Sequence, residues 1–201
     1  MSMHGRYEHW RDPEKLRRLD HAEREQIMPK APVIQALRLA AGLRVADVGA
    51  GTGYFALPIA VAVGRHGLVE AIDPSPVARG TIHDRAREAG LAQVMVRDGR
   101  AEATGLPAQS VDRVLWHALY HEVEDRAAAV AEMWRILKPG GLWVVVDWKP
   151  EATEKGPPVE DRVAPAVVVA EATRVGFRLV EEFRPGPVTY GLVLAKPEGT
   201  A

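Results

Sequence analysis

The segment from Val45 to Phe55, VADVGAGTGYF, constrains this chain more than any other. A short apolar run ends in an acid, and Gly49, Gly51 and Gly53 then alternate ahead of an apolar helical pattern. A strand that turns into a helix through such residues brings backbone against a ligand. Glycine has no side chain to stand in the way and takes positive φ, and the first turn of the helix carries unpaired N–H groups. Helix N-termini attract anions, so the pyrophosphate of a dinucleotide is one ligand for a turn of this kind. The dinucleotide fingerprint G-x-G-x-x-G wants a glycine where Tyr54 or Ala56 stands, however, and only its looser form ending in alanine survives from Gly51.

Three more landmarks follow in order. Leu68 to Asp73 (LVEAID) is a second apolar run closed by an acid, whose carboxylate is placed to accept both hydroxyls of a ribose. Gly99 to Pro107 (GRAEATGLP) precedes a further apolar run, Val111 to Trp116, and Ile136 to Leu142 (ILKPGGL) is a turn leading into a fifth strand. The pattern Asp47-x-Gly49-x-Gly51-x-Gly53 resembles the first motif of the class I S-adenosylmethionine-dependent methyltransferases. With the other landmarks, the resemblance extends over residues 32–196, to the small ubiquinone/menaquinone-biosynthesis and arsenite-methyltransferase-like group.

This resemblance implies S-adenosyl-L-methionine as cofactor and S-adenosyl-L-homocysteine as product. Asp47, Gly49, Ala50, Gly51 and Gly53 would shape the methionine side of the site, and Asp73 with Pro74 the ribose side. Asp98, Arg100 and Ala101 would border the adenine, and Trp116 would close the fourth strand beside the cofactor. At Arg100 the chain departs from the family, which usually has an acid there. A guanidinium has donors only, so Asp98 or the backbone of Ala101 must then read the adenine amino group.

Periodicity places strands near 43–48, 68–72, 93–97, 111–116, 142–147, 177–183 and 188–195, with helical patterns near 53–63, 75–89, 123–136 and 160–174. Alternating strand and helix argues for a parallel sheet covered on both faces. The last two strands are separated only by Arg184 to Pro187, too short for a crossover, so they are expected to pair as an antiparallel hairpin. The resemblance implies an α/β fold, a Rossmann-like seven-stranded sheet of order 3-2-1-4-5-7-6 with the last strand antiparallel. Ahead of it, Asp12-Pro13 reads as the cap and first residue of a helix carrying Leu16, Leu19 and Ala22. A second helix runs through Val33, Leu37 and Ala40 to a stop at Gly42. Residues 1–41 are thus expected to be a helical cap on a cofactor-binding domain at 42–197, with Tyr7, His9 and Trp10 able to close over ligand.

The 201 residues make one ordinary domain, and a formal charge of −1 with interspersed acids and bases offers no footprint for nucleic acid. No signal peptide or membrane-length apolar run is legible, so a cytoplasmic monomer or homodimer acting on a small molecule is expected. The chain has no cysteine, which excludes the cysteine-dependent methylation of cytosine carbon and thiolate capture of arsenic. The Asn/Asp-Pro-Pro-aromatic motif of amino-directed nucleic-acid methyltransferases is also missing, since the sole Pro-Pro is Pro157-Pro158.

Methyl transfer from a sulfonium asks mainly for alignment of the reacting atoms, and for a base only where the acceptor must lose a proton. Candidates for that base follow the fourth strand, in Trp116 to Glu122 (WHALYHE), which gathers His117, Tyr120, His121 and Glu122. His121 is the first choice for a catalytic role, because imidazole titrates near neutrality; a hydrogen-bonded structural histidine is the plainer alternative. His117 and His121 have helical ligand spacing without a third ligand, so no metal is expected. The loop Lys149 to Pro158 either borders the acceptor pocket or is a solvated connection. Two other functions remain open on sequence: a non-catalytic S-adenosylmethionine-binding protein, and an NAD-dependent oxidoreductase on a related sheet.

Overall fold

Strands β1 (Arg44–Val48), β2 (Leu68–Ile72), β3 (Val94–Arg97), β4 (Val111–His117), β5 (Leu137–Trp148), β6 (Arg178–Phe183) and β7 (Thr189–Ala195) form one sheet of order 3-2-1-4-5-7-6. The computed structural model describes Glu14, Leu16 and residues 24–199. Of the helix expected from Asp12, only Glu14 and Leu16 are described, and both are helical; Tyr7, His9 and Trp10 lie outside the described residues. β1 to β5 run parallel, and β7 is antiparallel to both β5 and β6, as the short Arg184–Pro187 connection demanded.

The central strands are almost continuous apolar runs because both faces are covered. On one face α2 (Lys30–Ala36), α3 (Ala56–Val63) and α4 (Pro76–Glu88) pack Val33, Ile59 and Ile82 against Val45, Leu115 and Val144. On the other, α5 (Arg126–Ile136) and α6 (Pro165–Val175) cover an aromatic core. Trp116 of β4 and Trp143 of β5 meet edge to face there, ring centroids 4.9 Å apart, with Tyr120 and Phe177 beside them. Aromatic pairs of this kind add to the stabilisation that their buried area gives.

Three boundaries differ most from the periodicity. α2 ends at Ala36 rather than near Gly42, because Arg38 adopts a left-handed φ of 47° and the Leu37 carbonyl accepts from Arg113 Nε. α6 starts at Pro165 rather than at 160. Proline fits the first helical position but holds Ala164 extended, ψ 142°, so residues 159–161 form a separate 3₁₀ turn. β5 begins five residues early, where Gly140 and Gly141 bulge out of register and exchange backbone hydrogen bonds with Lys196.

The described part of the N-terminal cap is fastened at two points, both at the carboxyl-end edge of the sheet. Beside α1 (Arg24–Ile27), Tyr54 of the glycine turn donates to Glu25 at 2.6 Å and to the Met28 carbonyl at 3.0 Å. Arg24 and Lys30 lie over its ring, 4.0 and 3.8 Å from the centroid. Gly186, in the β6–β7 hairpin, comes so close that a Cβ there would lie 2.3 Å from the Ile27 carbonyl oxygen.

Candidate active site

At the carboxyl ends of β1 and β2 the chain forms a cradle of backbone and two carboxylates. Gly49, Gly51 and Gly53 take φ of 73°, 56° and 82°, and a Cβ at Gly49 would sit 3.1 Å from the Leu119 side chain. The turn is tied down from below by the Ile72 carbonyl, which accepts from Gly49 and Ala50 N–H at 2.8 and 3.1 Å. α4 ties it from the side, through Arg85 to the Thr52 carbonyl. Asp73 reaches back across it: one carboxylate oxygen accepts from Gly51 N–H and the other from Ser75 N–H, both at 2.8 Å. Burial pushes Asp73 up to about 6, against the pull of those two amides. Pro74, half-buried, carries the chain from Asp73 to Ser75, which caps α4 by accepting from Ala78 N–H.

Asp47 is the more unusual of the two acids. It is 2% exposed, and its Oδ2 has no hydrogen-bond partner. Burial, together with the nearby Asp73, pushes it up to about 7, although Arg24 and the Ala56 N–H oppose the shift. A buried, unpartnered carboxylate oxygen is costly unless something cationic arrives to meet it.

The donor set therefore fits S-adenosylmethionine. Asp47 has an oxygen to offer the ammonium group, the glycines leave room for the tail, and each Asp73 oxygen keeps a lone pair for a ribose hydroxyl. The fit is closer than for a dinucleotide, whose pyrophosphate would face the unpartnered carboxylate oxygen of Asp47.

Around the adenine loop the structure sorts the candidates. Ala101 is buried, whereas Asp98 and Arg100 are exposed. Asp98 accepts from Arg79 at 3.0 Å on the rim, and Arg100 exchanges a pair of backbone hydrogen bonds with Ala103. What shapes this loop was not read from the sequence. Glu132 of α5 accepts from both the N–H and the hydroxyl of Thr104, and Arg135 bridges Glu132 to the Leu106 carbonyl. By itself the i, i+3 spacing of Glu132 and Arg135 announces no more than an ion pair along α5. The indole of Trp116 is enclosed in the core with its N–H on Met133 Sδ, so any part it takes at the cofactor is through backbone.

From β4 the chain leads out of the cradle. His117 packs on Phe55, ring centroids 4.5 Å apart, with neither ring nitrogen hydrogen-bonded. Burial holds it well below its ordinary value, so it is neutral. Leu119 covers Gly49, and a 3₁₀ turn at Tyr120–Glu122 then sets His121 against β5. There His121 Nδ1 lies 2.7 Å from Asp147 Oδ1, and the His121 N–H donates to the other carboxylate oxygen at 3.1 Å.

Asp147 is fully buried, and its Oδ1 also accepts from the Trp148 N–H at 2.7 Å. Desolvation works to lower the His121 pKa, but Asp147, Glu122 and Asp161 outweigh it and raise it above the usual histidine value. No spacing in the sequence pairs Asp147 with His121. The usable signal is that β4, which leads into the turn holding His121, and β5, which ends beside Asp147, are neighbouring strands. Among the described residues no group of three or more His, Asp or Glu could hold a metal ion.

Beyond the dyad lies an open pocket of about 420 Å³. The loop 149–158 borders it through Pro150 and is far from a loose connection. Arg162 donates to the carbonyls of Lys149, Glu151 and Pro157 and to the Thr153 hydroxyl, and Trp148 packs on Gly156.

Comparison with known proteins agrees with this geometry. A methyltransferase domain family matches residues 46–145, about half of the chain. A structure of a S-adenosylmethionine-dependent methyltransferase from Aquifex aeolicus superposes with a TM-score of 0.85 at 27% identity, over 91% of this chain and 97% of that one. The chain belongs to the class I S-adenosylmethionine-dependent methyltransferases.

Among curated relatives of this methyltransferase, demethylmenaquinone methyltransferase of Geobacillus kaustophilus is 29% identical over 124 residues, 62% of this chain and 53% of the relative. Aklanonic acid methyltransferase DauC of Streptomyces sp. strain C5 is 35% identical over 100 residues, 50% of this chain and 46% of the relative. The chain thus spans about half the length of these curated relatives. No helix among its described residues is long and apolar enough to cross a membrane.

Proposed function

We propose that this protein methylates a small protic acceptor, with Asp47, the glycine turn and Asp73 holding the donor and His121 acting as general base. The observation that carries the second half is the 2.7 Å contact between His121 Nδ1 and Asp147 Oδ1. A buried carboxylate on Nδ1 fixes the tautomer that carries its proton there and leaves the lone pair on Nε2. S-adenosylmethionine, when bound, supplies an electrophilic methyl carbon whose sulfur keeps the electron pair of the breaking bond and leaves as a neutral thioether. The acceptor hydroxyl gives its proton to His121 Nε2, and its oxygen takes the methyl group. Asp147 stabilises the imidazolium that results. A protein that only sensed the donor would have no use for a dyad on the far side of Leu119.

The relatives named for demethylmenaquinone make quinol-type rings the first acceptors to try. Incubation with S-adenosylmethionine and a panel of quinols, phenols and amines, with S-adenosylhomocysteine release as readout, tests the reading. Turnover of at least one acceptor that is lost in His121→Ala supports it; donor binding without turnover across the panel contradicts it.

A further inference from the structure

Asp47 can meet only one charge on the amino-acid tail of S-adenosylmethionine, the ammonium. The carboxylate on the same carbon would come close to that acid, and once it has shed its water it needs a cation of its own.

The surroundings of Asp47 show where that cation stands. β1 and β4 are neighbours, so Asp47 and His117 end side by side on the sheet face that carries Phe55 and α3. Among the described residues, six buried side-chain polar atoms have no hydrogen bond, and three of them are here: Asp47 Oδ2 and both His117 ring nitrogens. Buried polar atoms are ordinarily partnered, so this concentration marks the spot for a polar ligand.

Arg24 of α1 reaches the same spot along a chain of rings. Its Cζ lies 4.0 Å from the Tyr54 ring centroid, Tyr54 meets Phe55 edge to face at 5.0 Å, and Phe55 packs on His117 at 4.5 Å. Its charge is felt at both strand ends. After burial it is the next cause that lowers His117, and at Asp47 it opposes the rise that burial and Asp73 bring about. Lys30 shares the Tyr54 ring at 3.8 Å and is paired with Glu25. A guanidinium has five donors in a planar fork, so Arg24 can give two to a carboxylate and keep its other contacts.

We propose that Arg24 receives the carboxylate of the cofactor, so that the cradle reads both charges of the amino-acid tail and discriminates against a ligand without the carboxylate. The proposal rests on the cradle being the S-adenosylmethionine site and adds to it a residue from the N-terminal cap. Since Tyr54 fastens α1 to the glycine turn, cap and turn then hold one ligand between them.

The test is titration calorimetry on the full chain at pH 8 with two probes. One is S-adenosylhomocysteine; the other is its decarboxylated analogue, an aminopropyl thioether of adenosine that keeps the ammonium. The parent chain should bind S-adenosylhomocysteine about 10- to 100-fold more tightly than the analogue, the range of a charged hydrogen-bonded contact. Arg24→Met keeps an apolar stem on the Tyr54 ring. It should lose that factor for S-adenosylhomocysteine and leave the affinity for the analogue unchanged. Arg24→Lys, which keeps the charge without the fork, should retain part of the preference. Lys30→Met should retain all of it.

Equal loss of both ligands in Arg24→Met would make Arg24 a support of the cap and overturn the proposal. A parent chain indifferent to the carboxylate, or a preference removed by Lys30→Met, would overturn it too, and the comparison on the parent chain holds whatever the variants do to folding. Binding of neither ligand to the parent chain would instead remove the cofactor site on which the proposal rests, and the proposal with it.

Discussion

His121 and Asp147 meet at the carboxyl ends of two neighbouring strands, Nδ1 to Oδ1 at 2.7 Å, with the carboxylate completely buried. Asp147 also receives the backbone N–H groups of His121 and Trp148, so the acid that orients the imidazole is itself held by three donors. Replacing Asp147 by Asn keeps the shape but removes the charge. Methyl transfer to a phenol should fall by about 10²- to 10⁴-fold, the range of a general base. Affinity for S-adenosylhomocysteine, measured by calorimetry, should be unchanged, since the cradle proposed for the cofactor lies on β1 and β2. A loss of cofactor binding of the same size would place Asp147 in the wrong site.

The pH dependence follows from the same pair. Asp147, Glu122 and Asp161 raise His121 above its ordinary 6.5, so a proton blocks the proposed base at pH 6.5 and below. The logarithm of the transfer rate should climb with pH and level off only above the folded His121 pKa. In Asp147→Asn the midpoint should move to lower pH. For stability the sign is opposite: the raised His121 pKa contributes fully below about 6.5 and is lost as pH rises through the folded value. A rate profile that falls over this range would remove His121 as the base.

Much of this arrangement could be read from the residues, and the exceptions share a cause. The cradle at Gly49, Gly51 and Gly53 and the Asp73 acid were legible because glycine and a strand-end carboxylate are local signals, fixed within a few positions. The antiparallel pairing of β6 with β7 was legible through Arg184–Pro187, where a short connection leaves one arrangement, while the order of the sheet came from the family resemblance. The His121–Asp147 contact, the Glu132 grip on Thr104 and the Arg162 staple join residues far apart in the chain or across a loop, so no spacing rule announces them. The helical pattern near 160–174 took no account of Pro165, whose effect on Ala164 shows only once the preceding 3₁₀ turn is seen.

Asp47 makes a two-sided prediction. Its folded pKa, about 7, lies above the ordinary carboxylate value of 3.8, so its contribution to stability is present at low pH and lost as pH rises towards about 7. Asp47→Asn should therefore be more stable than the parent chain at pH 8, by up to about 4 kcal/mol, given roughly 1.4 kcal/mol for each tenfold change in proton affinity between the folded and unfolded chain. The same change should weaken S-adenosylhomocysteine binding about tenfold or more, because the ammonium loses its carboxylate. Thermal melts with and without ligand read both effects. A variant destabilised at pH 8 would contradict the account.

Gly49 is predicted to tolerate no side chain. Alanine there would take a left-handed φ at a cost of about 1 to 2 kcal/mol and would press on Leu119 at 3.1 Å. The lowered melting temperature should be accompanied by weaker S-adenosylhomocysteine binding. Alanine at Gly80, which has open space around it, should leave binding intact.

The claim that most of the account depends on is that the cradle on β1 and β2 binds S-adenosylmethionine. Titration calorimetry of S-adenosylhomocysteine and NAD, on the parent chain and on Asp73→Ala, tests it most directly. The account predicts saturable one-to-one binding of S-adenosylhomocysteine, its loss or severe weakening in Asp73→Ala, and no comparable heat from NAD. Tighter binding of NAD, or S-adenosylhomocysteine binding indifferent to Asp73, would contradict it.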